Sequence, residues 1–232
     1  MPHKAGGMPA GKVESAGLPT PQSKKMRREH TDSINGFTLA LRDGEPVDFR
    51  PVALGDRQAI QNGIAEMSQQ SRYFRFFSSI SKLSEAQLRY FTAVDHHDHV
   101  AWIALRHEKD QSTGLGIARF IRDPEQPSVA EFAVSVIDRY QRRGLGTLLM
   151  AVLHAQAARH GIEILRGFVL PENTVTCRWL ARLGAAGGFE NGVYRLDLAV
   201  NADLAVLPAT SSLHYFRDCL VKIQALATPK PV

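Results

Sequence analysis

Hydrophobic residues recur along this chain in two rhythms, and the rhythms divide it into elements. Residues 47–52 (Val-Asp-Phe-Arg-Pro-Val) alternate as a half-buried strand does. Helical spacing follows: Ile60, Ile64 and Met67 share one face behind Asp56, which predicts a helix capped by that carboxyl. A second helix is predicted from Ser84 through Leu88, Phe91 and Val94. Residues 99–105 and 114–121 read as strands around a polar turn at 109–113, and residues 129–136 as a third, β-branched and apolar. After Gln141-Arg142-Arg143-Gly144-Leu145-Gly146-Thr147, the residues Leu148, Leu149, Val152, Leu153 and Ala157 return to helical spacing. A strand at 162–170, a short helix at 173–183 and a hairpin turning at Asn191-Gly192 complete the body.

The predicted order is therefore β-α-α-β-β-β-α-β-α-β-β over residues 46–200. Residues 1–45 are rich in Gly, Pro, Ser and Lys without apolar periodicity and read as a flexible tail; its basic cluster Lys24, Lys25, Arg27 and Arg28 reads as solvated. Residues 201–232 form a C-terminal extension. In it Leu213, Phe216, Leu220 and Ile223 make an amphipathic helical stripe that packs on the body or on a partner.

Composition narrows the function. A chain of 232 residues, 44% hydrophobic, can bury one sizeable core. A formal charge of +5 and a pI near 9.4 suit an anionic partner such as a polyphosphate. The basic residues are scattered and no DNA-reading motif is present, which argues against nucleic acid. Cys177 and Cys219 lack metal or redox spacing and fit a reducing compartment. Neither a signal-peptide core nor a membrane-length apolar run is present, so the expectation is a soluble cytoplasmic protein. Asp95-His96-His97-Asp98-His99 reads as a polar loop rather than a metal site, because only alternate residues of an extended strand could share one ion.

The chemistry lies in the glycine segment. Gly144 and Gly146 fall where a strand hands over to a helix N-terminus, where unpaired N–H groups and the helix dipole attract an anion. The spacing is neither G-x-G-x-x-G nor a P-loop, since Leu149 and Thr147 stand where those motifs need Gly and Lys. It does resemble the Q/R-x-x-G-x-G/A element of the GCN5-related N-acetyltransferases, and with Pro171-Glu172-Asn173 and the element order the resemblance spans about residues 47–198. That resemblance implies a mixed, mostly antiparallel central sheet flanked by helices (an α/β, or α+β, class). It implies acetyl-CoA as co-substrate, its pantetheine arm lying along Val134, Ser135 and Val136 and its pyrophosphate on the amides of Gln141, Arg142, Arg143, Gly144, Leu145, Gly146 and Thr147.

Amine acceptors are protonated at neutral pH; a lysine of pKa near 10.4 is free base only about once in several thousand molecules. A general base is needed, and Glu131, interrupting an apolar strand, is the candidate. The structural alternative is a carboxylate paired to Arg119 or Arg139. The tyrosine that protonates the leaving thiolate in relatives is replaced by Leu180. Asn173 either touches the cofactor or caps its helix. Gly184-Ala185-Ala186-Gly187-Gly188-Phe189 departs from the family's compact Gly-Phe.

Ser71-Arg72-Tyr73-Phe74-Arg75-Phe76-Phe77, with Leu83-Ser84, Phe91-Thr92 and Asp95-His96, resembles the acetyltransferase domain of bacterial Pat-type protein lysine acetyltransferases. Those often carry a fused regulatory domain, for which 232 residues leave no room. The aromatic run reads as core packing, with Arg72 and Arg75 toward the acceptor cleft. The expectation is an acetyl-CoA-dependent N-acetyltransferase without a metal, acting on a protein lysine. A small amine (amino acid, polyamine or aminoglycoside) and a non-catalytic acyl-CoA sensor are the alternatives.

Overall fold

The computed structural model describes residues 36–108, 111–200 and 211–227. Fourteen elements organise them: β1 (Phe37–Ala40), β2 (Pro46–Pro51), α1 (Arg57–Ala65), α2 (Gln69–Phe76), α3 (Glu85–Thr92), β3 (His99–Glu108), β4 (Gln111–Arg122), β5 (Val129–Val136), α4 (Leu145–Arg159), β6 (Ile164–Val169), α5 (Thr174–Arg182), β7 (Ala186–Glu190), β8 (Val193–Ala199) and α6 (Ser211–Ala227). The strands form one sheet in the order β1-β2-β3-β4-β5-β6-β8-β7. Every neighbouring pair is antiparallel except β5 and β6. This is the mixed, mostly antiparallel sheet flanked by helices that the family resemblance implied.

Two faces follow from the register. Ile117, Arg119 and Ile121 of β4 lie opposite Ser135, Ala133 and Glu131 of β5, so all six point to one side. That side carries α1 and α2. The other side holds Phe120 opposite Phe132 and is covered by α4, whose central residues are buried all round because α6 closes over them. A bulge in β4 beside Leu115 lets two nearby glycines face opposite layers. A Cβ on Gly114 would come within 2.8 Å of the Ala59 carbonyl, and one on Gly116 within 2.8 Å of Leu149.

Several boundaries differ from the sequence reading. Residues 37–40, assigned to the tail, add β1 to the sheet edge, where Phe37 stacks on Phe49 at 5.7 Å. Residues 111–113, read as turn, continue β4; residues 109–110 lie outside the described set. The aromatic–arginine run forms its own helix, α2, capped by the Ser68 hydroxyl, so three helices precede β3 instead of two. Asp56 sits at the start of α1 but its side chain caps nothing there. It is 5% exposed and takes both guanidinium nitrogens of Arg50, at 2.6 and 2.7 Å, plus the Ala53 N–H. The hairpin does turn at Asn191-Gly192, whose φ values of 49° and 86° suit the tight turn. The stripe on α6 packs on α4, burying Leu213, Phe216, Leu220 and Ile223. Residues 1–35, including the basic cluster, and 201–210 lie outside the described set.

Candidate active site

The parallel ladder of β5 and β6 has only three rungs, Val129–Ile164, Ala130–Leu165 and Glu131–Arg166. Beyond Glu131 the two strands diverge. At that point the Phe132 ring packs on Gly167, so closely that a Cβ there would sit 2.8 Å from it. The ring stands at the root of a notch between the strands. On the β6 side of that notch, the β5 backbone from Ala133 to Val136 meets no strand partner, and Val134, Ser135 and Val136 are half-buried along it. An extended amide chain could add to such an edge.

Past β5 the chain makes a short turn and enters α4. Gly144, at φ 95°, is its N-cap, and a Cβ there would fall 2.7 Å from the Tyr215 hydroxyl of α6. Leu145, Gly146 and Thr147 occupy the first turn, so their N–H groups have no intrahelical acceptor and face the notch end of a 15-residue helix. Arg142 is exposed, with an unusual φ of 60°.

The remaining side chains of this loop are committed elsewhere. Arg143 binds Asp43 at 2.6 Å and Glu45 at 2.5 Å, fastening the loop to the β1–β2 turn. Those two carboxylates raise its pKa further. The Gln141 N–H already donates to Asp138, and its side-chain amide donates to Val136 and Ser71. Thr147 is buried and accepts the Trp179 indole N–H at 3.2 Å. For Gln141, whose amide was expected to meet a pyrophosphate, the geometry gives a brace of the loop instead.

Glu131 stands on the last rung of the ladder, at the mouth of the notch. Its carboxylate makes no hydrogen bond or ion pair with the described residues. Arg139 pairs with Glu66 at 3.0 Å, Arg166 with Asp197 at 2.9 Å, and Arg119 donates to His99 at 3.0 Å and to the Phe91 carbonyl at 3.2 Å. The structural pairing with Arg119 or Arg139 is thus not made. Surrounding protein pushes the Glu131 carboxyl above its ordinary value, and the nearby Arg75 cation partly opposes that rise. Arg75 is held over Phe76 and Phe91 by α2, whose start is tied to the loop through Ser68 and Ser71 on the Asp138 carboxylate.

A pocket opens on the same face, lined by Ile60, Ile64, Phe91 and Ile117, with Arg75, Arg119 and Ser135 as its polar members. Arg75 therefore reaches the cleft, as expected. Arg72 does not: it donates to the Met67 and Ile64 carbonyls and closes the end of α1.

Asn173 caps α5, accepting the Thr176 N–H at 3.2 Å. Leu180 is 1% exposed on that helix and offers no proton. Asp95 accepts the N–H groups of His97, Asp98 and His99, and Asp98 pairs with Arg122 at 2.7 Å, so these polar groups hold the loop in place. Among the described residues no three His, Cys, Asp or Glu side chains are grouped to hold a metal ion. No described helix is long and apolar enough to cross a membrane.

Known proteins share this arrangement. The model of the acetyltransferase (GNAT) family matches residues 63–185. The acetyltransferase Pat of Mycolicibacterium smegmatis is 35% identical over 152 residues, which cover 66% of this chain and 45% of that protein. The chain thus spans less than half the length of that relative. The crystal structure of the GNAT domain of S. lividans PAT aligns over 71% of this chain and 96% of its own, with 28% identity and a TM-score of 0.65. A cAMP-binding acyltransferase from Mycobacterium smegmatis aligns over 84% of this chain and 56% of its own, at 28% identity and a TM-score of 0.53.

Proposed function

The chain belongs to the GNAT acetyltransferase family, and on that footing we propose that it transfers an acetyl group from acetyl-CoA to a primary amine, a protein lysine first. The observation that carries the reading is an unpaired carboxylate, Glu131, at the mouth of a strand notch that leads to an open helix N-terminus. The pantetheine arm would add to the free edge of β5 at Val134, Ser135 and Val136. The pyrophosphate would meet the N–H groups of Leu145, Gly146 and Thr147, with Arg142 supplying charge from the rim. Asn173 serves by fixing the start of α5.

In the reaction Glu131 takes a proton from the ammonium of the acceptor. The freed amine attacks the thioester carbonyl, the new C–N bond forms as the C–S bond breaks, and CoA leaves as a thiolate. A raised carboxyl pKa makes Glu131 a better acceptor of that proton. The thiolate is stable enough to leave without a protein acid, which fits Leu180 in place of tyrosine. A protein acceptor is favoured by the likeness to Pat.

The experiment is transfer from labelled acetyl-CoA into a desalted cell lysate. Label on protein lysines supports this reading. Label only on low-molecular-mass amines, when the removed fraction is returned, assigns a small-amine enzyme. Binding of acetyl-CoA without transfer in either fraction would leave an acyl-CoA sensor.

A further inference from the structure

Arg75 and Arg119 face the cleft side by side, and proton transfer by Glu131 needs neither. Arg119 is 4% exposed, in a wall otherwise made of Ile60, Ile64, Phe91 and Ile117. Burial, with the Arg75 cation beside it, pushes its pKa down to about 9, so it stays charged at neutral pH. Neither arginine has a carboxylate within ion-pair distance among the described residues; Glu131 acts on Arg75 only through space. Burying Arg119 beside the half-buried Arg75 cation, with no counter-ion among the described residues, is costly.

The guanidinium of Arg119 is also fixed in orientation. One terminal nitrogen donates to His99 Nε2, which must accept because arginine can only donate, and the other donates to the Phe91 carbonyl. The Phe91 ring lies 4.3 Å away, and the Nε–H has no acceptor.

Position adds the rest. On the shared sheet face, Arg119 sits on the rung between Glu131–Ile121 and Ser135–Ile117. It therefore stands diagonally across the ladder from both Glu131 and Ser135, at roughly 7–8 Å. The cleft in front of it is open to solvent and shares its lining with Arg75 and Ser135, so a carboxylate can reach the pair.

We propose that Arg75 and Arg119 form a carboxylate-binding subsite beside the reacting atoms, which holds a carboxylate carried by one of the two reactants. This deepens, and rests on, the reading of the cleft as an acyl-transfer site. The carboxylate has two sources. One is a dicarboxylic acyl group on CoA, whose free end reaches the pair from the thioester. The other is an acceptor that carries a carboxylate close to its amine.

Calorimetric titration of the full chain separates these sources, with ratios inside each protein as the control. On the donor side, succinyl-CoA is compared with butyryl-CoA, which matches its chain without the charge. On the acceptor side, CoA-saturated protein is titrated with L-lysine and with L-lysinamide. The subsite predicts at least a tenfold preference for the carboxylate in one arm, and that arm names the source. In Arg119→Met and Arg75→Met the preference should fall to twofold or less. Equal affinities in both arms with wild type, or a preference that survives both substitutions, would overturn the subsite. Failure of acetyl-CoA itself to bind wild type would instead overturn the acyl-transfer reading beneath it. Relief of like-charge repulsion predicts that Arg119→Met melts no lower than wild type; should it fail to fold, Arg75→Met on half-exposed α2 carries the test.

Discussion

At the scale of single residues, burial decides which groups are chemically available. His154 lies on α4 beneath α6, 2% exposed, with its ring edge-on to Phe216 at 5.6 Å. Burial lowers its pKa from 6.5 to about 4. Between those values the unfolded chain binds a proton that the folded chain refuses, so stability falls as pH drops from about 6.5 and levels off below about 4. By pH 5 the loss is on the order of 2 kcal/mol. His154→Leu should remove it: urea unfolding at pH 7 and pH 5 is expected to show a drop smaller by that amount in the variant. Equal drops would place the acid sensitivity elsewhere.

The same scale shows what the sequence could carry. Glu131 stood out because one carboxylate broke an apolar strand, and it remains unpaired in the fold. The commitment of Arg143 did not show, because its partners Asp43 and Glu45 lie 100 and 98 positions away. The Arg75–Arg119 pair was equally hidden, joining a helix and a strand that no local pattern connects.

At the scale of elements, the glycine loop was legible because positive φ and a following helix leave a local mark. Helix α2 was not, since none of its residues is fully buried and its eight residues are too few for a repeating stripe. Strand β1, four residues long, has the right alternation but follows a polar stretch that masked it. Within the loop, two substitutions should diverge. Gly144→Ala forces a Cβ into a left-handed residue and to 2.7 Å from the Tyr215 hydroxyl, and is expected to cost about 2 kcal/mol. Arg142→Gly relieves a left-handed side chain while freeing the unfolded backbone, so stability should stay within about 0.5 kcal/mol of wild type. Its acetyl-CoA affinity should fall by about three- to tenfold through the lost charge. Thermal melts and calorimetry on the pair check both directions.

At the scale of the whole molecule, α6 belongs to the core although the family model ends before it, at residue 185. Its Leu213, Phe216, Leu220 and Ile223 are each 3% exposed or less, and burial of such side chains contributes roughly 1.5–3 kcal/mol apiece. That sum rivals the net stability of a typical domain. A chain ended at residue 200 is therefore expected to lose cooperative unfolding, or to melt more than about 10 °C lower by circular dichroism. A full-height transition at the wild-type temperature would show that α6 is dispensable.

The claim that joins these scales is that the fold presents Glu131 as a base beside bound acetyl-CoA. The direct test measures acetyl-CoA binding and acetyl transfer to lysate protein together, for wild type and Glu131→Gln, from pH 6 to 9. Equal binding is predicted, with transfer slowed by about 10² to 10⁴-fold in the variant across that range. Equal binding with equal transfer would contradict it and remove Glu131 from the chemistry.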